Sequence, residues 1–284
     1  MSKGVLYVVS TPIGNLEDIT PRAVKTLKGV NVVACEDTRQ SRILMQRWNI
    51  STKLMSLHRF SESRKTQAIL ERLDSGEDVA IVTDAGTPAI SDPGHRIVRA
   101  ALDAGFQVTP IPGPSSITSA LSVSGMDCST FAYLGFVPRK DQQRRSFFDR
   151  ILKSEITCIF FETPHRILES LRIAAEMLGP RRMVLTRELT KLHEEILSAA
   201  AGDLLDILAA REAIKGEIVI VVEGQAGPPT DIDLDEAVKS LMQEGLSGKR
   251  LADEAHNRFG VKKSVAYERF LSLKGQRRKP SDSE

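Results

Sequence analysis

The sequence predicts an α/β protein: a domain with a doubly wound parallel sheet, an α/β domain with a mixed sheet, and a small C-terminal helical module. Short runs rich in Val, Ile and Leu alternate with amphipathic segments over residues 4–124, which is typical of buried parallel strands covered by helices. A second series of such runs follows, and two of them, near residues 184 and 196, are close in sequence, which favours a mixed sheet. A Gly/Pro-rich stretch at 224–230 then precedes helical periodicity.

Each element of the first domain has a local signal. The predicted strands are Val5–Ser10, Asn31–Cys35, Lys53–Leu57, Val79–Thr83 and Val108–Ile111. Thr20-Pro21 supplies an N-cap and a first-turn proline for a helix that Gly29 ends. Further helices are expected to open at Ser61 and at Asp92-Pro93, and to end at Gly76 and Gly105.

The second domain and the C-terminal module follow in the same way. The predicted strands are Phe131–Phe136, Thr157–Phe161, Met183–Thr186, Glu195–Ser198 and Ile218–Val222. Thr163-Pro164 is expected to open a helix that runs to about Leu178. Near the end of the chain, Leu251, Ala255 and Phe259 share one helical face, and Gly260 breaks the pattern before Val265–Leu273 resumes it. This outline fits either a helix-turn-helix-like RNA-binding module or a helical appendage that packs on its own domain or on a dimer partner.

The predicted boundaries are therefore 1–115 and 116–225 for the two α/β domains, 231–275 for the helical module and 276–284 for a frayed tail.

Composition and charge limit the class of protein. A hydrophobic content of 41% and a net charge of +2 exclude a mostly disordered chain. No apolar run is long enough to span a bilayer, and the first residues lack a secretory signal, so we expect a cytoplasmic protein without a membrane partner. The three cysteines lie far apart and are expected to be reduced. Basic stretches at 39–72, 139–153 and 245–284 leave room for a polyanionic partner.

Several common sites are absent from the sequence. The first strand is not followed by GxGxxG, and no Walker A motif, GxSxG elbow or metal-type histidine spacing occurs, so no NAD site, P-loop or metal site is expected. Polar turns instead follow four predicted strands, at residues 11–15, 36–39, 83–94 and 111–116. Ligands of doubly wound sheets bind at this edge. The residues alone therefore indicate a two-domain α/β enzyme with a nucleotide-like ligand.

Six strings extend this interpretation: TPIGNLEDIT, ACEDTRQS, VTDAGTPAISDPG, IPGPSSITSAL, FFETPHRI and RELTKLHEE. Together they resemble the tetrapyrrole (corrin/porphyrin) methylase superfamily, and within it the branch that modifies small-subunit ribosomal RNA. The resemblance covers about residues 4–273. The chain has Gly86-Thr87-Pro88 where other members typically carry a GDP-type triplet.

The resemblance implies S-adenosylmethionine as methyl donor, bound between the two α/β domains of a homodimeric enzyme. It implies 2′-O-methylation of a cytidine in 16S ribosomal RNA, either free or in the ribosomal subunit. The donor-binding residues that it implies are Asp84, Gly86, Thr87, Ile90, Ser115, Ser116, Ile117, Phe161, Glu217 and Val219.

Catalytic and substrate-binding candidates complete the hypothesis. Glu188 and Lys191, just after a predicted strand, are the favoured catalytic pair for activating a weakly nucleophilic hydroxyl group, although such a pair could equally be a surface ion pair on a turn. The substrate-binding candidates are Asp37, Arg39, Lys249, Arg250, Lys262 and Lys263. Two other functions stay open: a methyltransferase of the same fold acting on a small tetrapyrrole or a protein, and a non-catalytic RNA-binding protein.

Overall fold

The structure, a computed structural model, describes residues 3–57, 62–225, 233–259, 261 and 263–276. The chain divides into two compact units, Met1–Glu223 and Gly224–Glu284. Two five-stranded sheets lie in the first unit, one entirely parallel and one mixed. The predicted α/β class is thereby confirmed, whereas the proposed division of the first unit at residue 115 stays a prediction.

The first sheet is parallel, with strand order β3-β2-β4-β1-β5. Its strands are β1 (Val5–Val9), β2 (Val32–Cys35), β3 (Lys53–Ser56), β4 (Val79–Val82) and β5 (Gln107–Ile111). The helices of this region are α1 (Pro21–Gly29), α2 (Thr38–Arg47), α3 (Glu62–Asp74), α4 (His95–Asp103) and α5 (Ser116–Ser124). All four residues of β2 and of β4 are buried, as expected for central strands covered on both faces.

Both faces of this sheet carry an apolar core because successive side chains of a strand point to opposite sides. Val33 and Cys35 of β2 pack in the core that includes Ala23 and Leu27 of α1. Val32 and Ala34 pack on the other face, with residues of α3 and α4. Apolar cores therefore cover both faces of the first sheet.

The second sheet is mixed, with order β6-β7-β10-β8-β9. Its strands are β6 (Phe131–Phe136), β7 (Thr157–Glu162), β8 (Arg182–Arg187), β9 (Glu195–Ala200) and β10 (Ile218–Val222). The helices are α6 (Asp141–Leu152), α7 (Ile167–Leu178) and α8 (Ala201–Ala209). Only β6 and β7 pair in parallel; β10, the last strand in sequence, lies antiparallel between β7 and β8.

One apolar cluster joins the two halves of the first unit. Ile13, from the loop after β1, and Ala120 and Leu121 of α5 pack against the second sheet. The residues that they meet there include Ile159, Val184, Val219 and Val221. This packing fixes the loops after the first sheet against the second sheet.

The second unit consists, over its described residues, of α9 (Leu234–Gln243), α10 (Gly248–Phe259) and α11 (Lys263–Gln276). It has an apolar core of its own, in which Val238, Leu251 and Phe270 are buried. The predicted helical periodicity over 251–259 and 265–273 therefore corresponds to real helices.

Two predicted helix starts are wrong. α4 begins at His95 rather than at Asp92-Pro93, because residues before it form turns and Gly94, with φ of +127°, is the N-cap. α7 begins at Ile167 rather than at Thr163-Pro164; the Thr163 carbonyl accepts from the Arg166 and Ile167 amides in a turn that precedes the helix. The start of α1 is correct, since the Ala23 amide donates to Thr20 Oγ1 at 3.1 Å. The start predicted at Ser61 lies outside the described residues.

Candidate active site

The loops that follow β1 and β4 are joined at the carboxyl edge of the first sheet. The Thr11 amide donates to the Gly86 carbonyl at 2.9 Å, and the Gly86 amide donates back to the Thr11 carbonyl at 3.1 Å. The Ser10 and Thr87 hydroxyl oxygens lie 2.9 Å apart. The two loops therefore form one wall.

The loop after β4 has an unusual backbone. Gly86 has φ of +82°, and the non-glycine residues Ala89 and Ser91 have φ of +70° and +62°. Ser91 Oγ lies 2.5 Å from the hydroxyl oxygen of Tyr133 on β6, so this loop is also bonded to the second sheet. Left-handed backbone at non-glycine residues is uncommon and is held in place only by surrounding structure, which is typical of functional loops.

A cavity of about 390 Å³, within the range of small-molecule sites, lies between this loop and the second sheet. Six of the ten predicted donor-binding residues line it: Asp84, Ile90, Ser116, Phe161, Glu217 and Val219. A smaller cavity of about 50 Å³ shares some of this lining. The other four, Gly86, Thr87, Ser115 and Ile117, line the smaller cavity. We call the larger space the first cavity.

A second cavity, also of about 390 Å³, lies beside the loop after β1. Its walls include Gly14, Gln40 and Ser41 from the first sheet's loops and α2, and Lys191 from the loop after β8. The residues that line both large cavities are Ile13, Thr83, Asp84, Ala85 and Glu217. The two spaces are thus neighbours with a common wall.

Aromatic side chains form one side of the first cavity. The Phe161 ring meets Tyr133 and Phe136 edge-on, with ring centroids 5.1 and 5.2 Å apart. Phe136 is 51% exposed and lines the cavity. The pairing of β6 with β7 shifts register between Tyr133 and Phe136, where Gly135 has φ of +72°. The sequence analysis missed Phe136, although a glycine inside a strand signals such a bulge.

A buried carboxylate stands at the end of β7. Glu162 is 2% exposed and lines the first cavity. Its Oε1 accepts from the Thr163 amide at 2.7 Å and lies 2.8 Å from Arg166 Nη2, and its Oε2 accepts from Ser170 Oγ at 2.5 Å. Because its charge is paired and hydrogen-bonded, we assign Glu162 to holding the loop that follows it.

Glu188 and Lys191, the predicted catalytic pair, lie together and with Glu217. Lys191 Nζ donates to Glu188 Oε1 at 2.8 Å and to Glu217 Oε2 at 3.1 Å, and the Glu217 amide donates to Glu188 Oε1 at 3.0 Å. Gly216 makes room for this cluster, since a Cβ there would lie 2.3 Å from Glu188 Cγ. The pairing with Glu217 was missed, because nothing in local sequence links residues so far apart.

The cluster's ionisation follows from these bonds. Burial acts to raise the pKa of the Glu188 carboxyl group, but hydrogen bonds from Lys191 and the Glu217 amide outweigh it and bring the pKa below its ordinary value. Burial acts to lower the pKa of the Lys191 ammonium, and bonds to Glu188 and Glu217 outweigh that effect and raise the pKa. Lys191 is therefore a fixed cation at neutral pH, and Glu188 is a weak base.

Asp37 and Arg39 lie at the start of α2. Asp37 is its N-cap and pairs with the exposed Arg39 at 2.7 Å. Hydrogen bonds from Arg39 lower the pKa of the Asp37 carboxyl group to about 2. The Asp37 amide donates to Asp84 Oδ1 at 3.2 Å, which brings the second and third predicted turns together.

The basic candidates near the C-terminus belong to the second unit. Lys249 and Arg250 are exposed in the first turn of α10, and Lys263 pairs with Asp253 at 2.7 Å. Lys262 lies outside the described residues. Two further basic residues are paired within this unit, Arg258 with Glu244 and Glu254, and Arg269 with Asp235.

The described part of the chain lacks two kinds of feature. None of its helices combines the length and apolar character that a bilayer crossing requires. No group of three or more of its His, Cys, Asp and Glu side chains is arranged to hold a metal ion.

Comparison with known proteins identifies the family. The model of the family "Tetrapyrrole (Corrin/Porphyrin) Methylases" matches residues 5–205. The chain belongs to the tetrapyrrole methylase family. Tetrapyrrole methylases use S-adenosylmethionine as methyl donor.

Curated relatives of this tetrapyrrole methylase align over nearly its full length. It is 42% identical to ribosomal RNA small subunit methyltransferase I of Escherichia coli O157:H7, over 96% of this chain and 97% of that protein. It is 38% identical to the protein of the same name from Bacillus subtilis strain 168, over 94% of each.

Solved structures of other tetrapyrrole methylases share the fold. Cobalt precorrin-4 methyltransferase matches with a TM-score of 0.58 and 18% identity, over 77% of this chain and 94% of that one. Uroporphyrin-III-C-methyltransferase from Thermus thermophilus matches with a TM-score of 0.56 and 19% identity, over 86% of this chain and 100% of that one.

Proposed function

We propose that this tetrapyrrole methylase transfers a methyl group from S-adenosylmethionine to the 2′-hydroxyl group of a cytidine in 16S ribosomal RNA. The observation that carries the proposal is the pair of neighbouring cavities, each of about 390 Å³, which gives each reactant its own space on either side of Asp84. The names of the relatives support ribosomal RNA of the small subunit as the substrate. The basic stretches of the sequence are also compatible with a polyanion.

The residues of the first cavity fit the donor. Ser115 is the N-cap of α5, and its side chain makes no capping hydrogen bond, so amide groups of the first turn are available to a carboxylate. Phe161, Ile90 and Val219 offer apolar surface to an adenine ring. The carboxylate groups that line the same cavity favour the positively charged sulfonium group of the donor. When bound, the donor supplies an electrophilic methyl group.

In the second cavity we assign attraction and orientation to the cluster of Glu188, Lys191 and Glu217. Lys191 presents a cation, held in place by two carboxylates, to an entering nucleotide with its phosphate groups. Holding the ribose oxygen in line with the methyl carbon accounts for much of the acceleration in such a displacement. Glu188 serves here to position Lys191.

RNA recruitment is assigned to charges outside the cavities. Arg39 and its partner Asp37 lie beside Asp84, and Lys249, Arg250, Lys262 and Lys263 belong to the second unit. Contacts from such lysine and arginine residues to phosphates release counterions, so RNA affinity is expected to fall as salt rises.

The test is methylation of purified small ribosomal subunits and of free 16S ribosomal RNA with isotope-labelled donor. The RNA is taken from cells that lack the modification, and digested nucleosides are separated by mass spectrometry. Label in 2′-O-methylcytidine is the expected result. Label in a methylated base, or in a tetrapyrrole or protein offered in parallel, would overturn the assignment.

The non-catalytic alternative is tested separately by calorimetry. An RNA-binding protein without activity would not bind S-adenosylmethionine, whereas the proposed enzyme binds it in the absence of RNA.

A further inference from the structure

Asp84 occupies a special position in the fold. Only Thr83 separates it from the end of β4, a central strand of the first sheet, and Asp84 is exposed rather than packed in the core. It lines both large cavities. A group in this wall can touch atoms of a ligand in either space.

The other described acidic residues that line the two cavities, together with Glu188 beside them, have interaction partners. Glu188 and Glu217 both accept from Lys191, and Glu162 is bound by Arg166 and Ser170. Glu36 and Asp92 also have interaction partners. Among the described residues, no ion pair includes Asp84, and its hydrogen bond is the one from the Asp37 amide to Oδ1 at 3.2 Å. Its second oxygen therefore retains the capacity to accept a proton, and the residue itself lines both cavities.

We propose that Asp84 is the general base of methyl transfer and accepts the proton of the acceptor hydroxyl group held in the second cavity. This inference rests on the proposed function. It replaces Glu188 as the proton acceptor and leaves Glu188 and Lys191 as the group that orients the acceptor.

The step balances in atoms and charge. The acceptor O–H bond breaks and its proton passes to the free oxygen of Asp84. The hydroxyl oxygen forms a bond to the methyl carbon, while the carbon–sulfur bond breaks and its electron pair stays on sulfur. The products are a methyl ether, a neutral thioether and a protonated Asp84, which later releases its proton to water.

The surroundings of Asp84 suit this role. Partial loss of hydration raises the pKa of the Asp84 carboxyl group; the bond from the Asp37 amide opposes the rise, and the Asp37 charge adds to it. A higher pKa makes a carboxylate a better proton acceptor while it stays ionised at neutral pH. The charged or titratable groups around it are Cys35, Glu36 and Asp37 on its own side and Lys191 and Glu217 across the cleft.

The decisive variant is Asp84→Asn, whose amide oxygen can still accept from Asp37 but whose side chain cannot take a proton. We expect kcat to fall by about 10²- to 10⁴-fold, the usual contribution of a general base. The dissociation constant for S-adenosylmethionine, measured by calorimetry, should change by less than about fivefold, equivalent to about 1 kcal/mol, because an exposed charge contributes little. The acidic limb of the pH–rate profile, along which wild-type activity falls as Asp84 is protonated, should disappear.

The matched control is Asp78→Asn, at the other end of β4. Asp78 Oδ1 accepts from the Val5 amide at 2.8 Å, and an amide oxygen preserves that bond. This variant should keep kcat, donor affinity and the acidic limb. Asp84→Glu, which retains a displaced carboxylate, should keep the limb with reduced kcat, and it provides a second variant if Asp84→Asn does not fold.

Three results would decide against the inference. A parallel loss of donor affinity and kcat in Asp84→Asn would make Asp84 a donor-binding residue. A kcat that falls by less than about tenfold, or an unchanged acidic limb, would exclude it as the base. If the wild-type protein binds the donor but labels no ribose in 16S ribosomal RNA, the proposed function fails, and the inference falls with it before any variant is compared.

Discussion

Gly86 shows how a single backbone conformation can determine a site. Its φ of +82° lies in the left-handed region, and both of its backbone polar groups bond to Thr11. A side chain there costs about 1–2 kcal/mol of backbone strain. The added Cβ would lie 3.5 Å from Ile13 Cγ2, which is an ordinary contact, so conformation rather than crowding makes the position a glycine.

We predict that Gly86→Ala shifts the loop after β4 and weakens donor binding at least about tenfold, equivalent to 1.4 kcal/mol. Calorimetry with S-adenosylmethionine measures this directly. The control is Gly105→Ala, at φ of +72° between α4 and β5, where a Cβ has nothing within 4 Å. Gly105→Ala should lower the melting temperature about as much as Gly86→Ala does, and it should leave the affinity for S-adenosylmethionine unchanged. Equal donor affinity in the two variants would refute the prediction.

Predicted site residues that come from a single loop lie together in the cavity linings, although their role in donor binding stays a prediction. Asp84, Gly86 and Ser116 follow predicted strands, and turns at strand ends meet at one edge of a parallel sheet. The sequence did not predict the bond of Lys191 to Glu217 or that of Ser91 to Tyr133. Such pairs depend on how two sheets pack, and neither composition nor periodicity contains that information.

A group of ion pairs joins strand β8, strand β9 and the segment that follows helix α8. Glu195 of β9 accepts from both terminal nitrogens of Arg211, at 2.8 and 2.6 Å, and from Arg187 of β8 at 2.9 Å. Arg187 also donates to the Lys215 carbonyl at 3.1 Å, just before Gly216 and Glu217. The group therefore braces the segment that brings Glu217 to the two cavities.

The Glu195 carboxyl group gives this brace a pH dependence. Hydrogen bonds from Arg211 come first among the causes that lower its pKa from an ordinary 4.5 to about 2, and burial opposes them. Since the folded-state pKa is lowered, the stabilisation is fully present above about pH 4.5 and is lost as pH falls towards about 2. We predict that Glu195→Gln lowers the free energy of unfolding by about 2 kcal/mol at pH 7, with the difference from wild type shrinking below pH 4.5.

Urea unfolding at a series of pH values tests this prediction. Glu176→Gln is the control. Glu176 of α7 also pairs with an arginine, Arg145 of α6, but both side chains are exposed to solvent, which weakens the interaction. That variant should change stability little at any pH. A difference between Glu195→Gln and wild type that stays constant down to pH 2 would contradict the assignment.

Strands were easier to predict than helices. All ten predicted strands correspond to strands of the structure. The clearest signals came from β2, β4 and β10, because a strand buried on both faces must be continuously apolar. Helix starts at Asp92 and Thr163 were misplaced, since Ser/Thr/Asp-Pro pairs also begin turns. Helices α2, α6 and α8 were among those not predicted; at α2, Asp37 was interpreted only as a site residue, although it is the N-cap.

At the scale of the whole molecule, both cavities belong to the first compact unit, which ends at Glu223. We predict that a chain ending after Gly224 keeps its donor affinity, loses much of its RNA affinity and methylates ribosomal subunits poorly. Fluorescence anisotropy with RNA at several salt concentrations should show a shallower salt dependence. If instead donor affinity and melting temperature fall together, with no separate change in RNA affinity, the helices of the second unit have a packing role.

We also propose that the protein is a homodimer. Leu192, between β8 and β9, is 93% exposed, and Ile196 on the edge strand β9 is 43% exposed. Exposed large apolar side chains on an edge strand and on the loop that precedes it are compatible with association. Light scattering should give about twice the chain mass of 31.3 kDa; a value near one chain mass at micromolar concentration would refute the proposal.

The central place of β10 has a consequence for how the molecule is made. Strands β7 and β8 are neighbours of β10 and not of each other, and β10 is the last strand in sequence among the described residues. During synthesis, which adds residues from the N-terminus at about 5–20 per second, the first sheet can be completed while β7 and β8 still have unpaired edges. Those edges invite pairing with other chains until residue 222 has left the ribosome. Pauses in translation before β10 should therefore promote aggregation, and pauses after it should not.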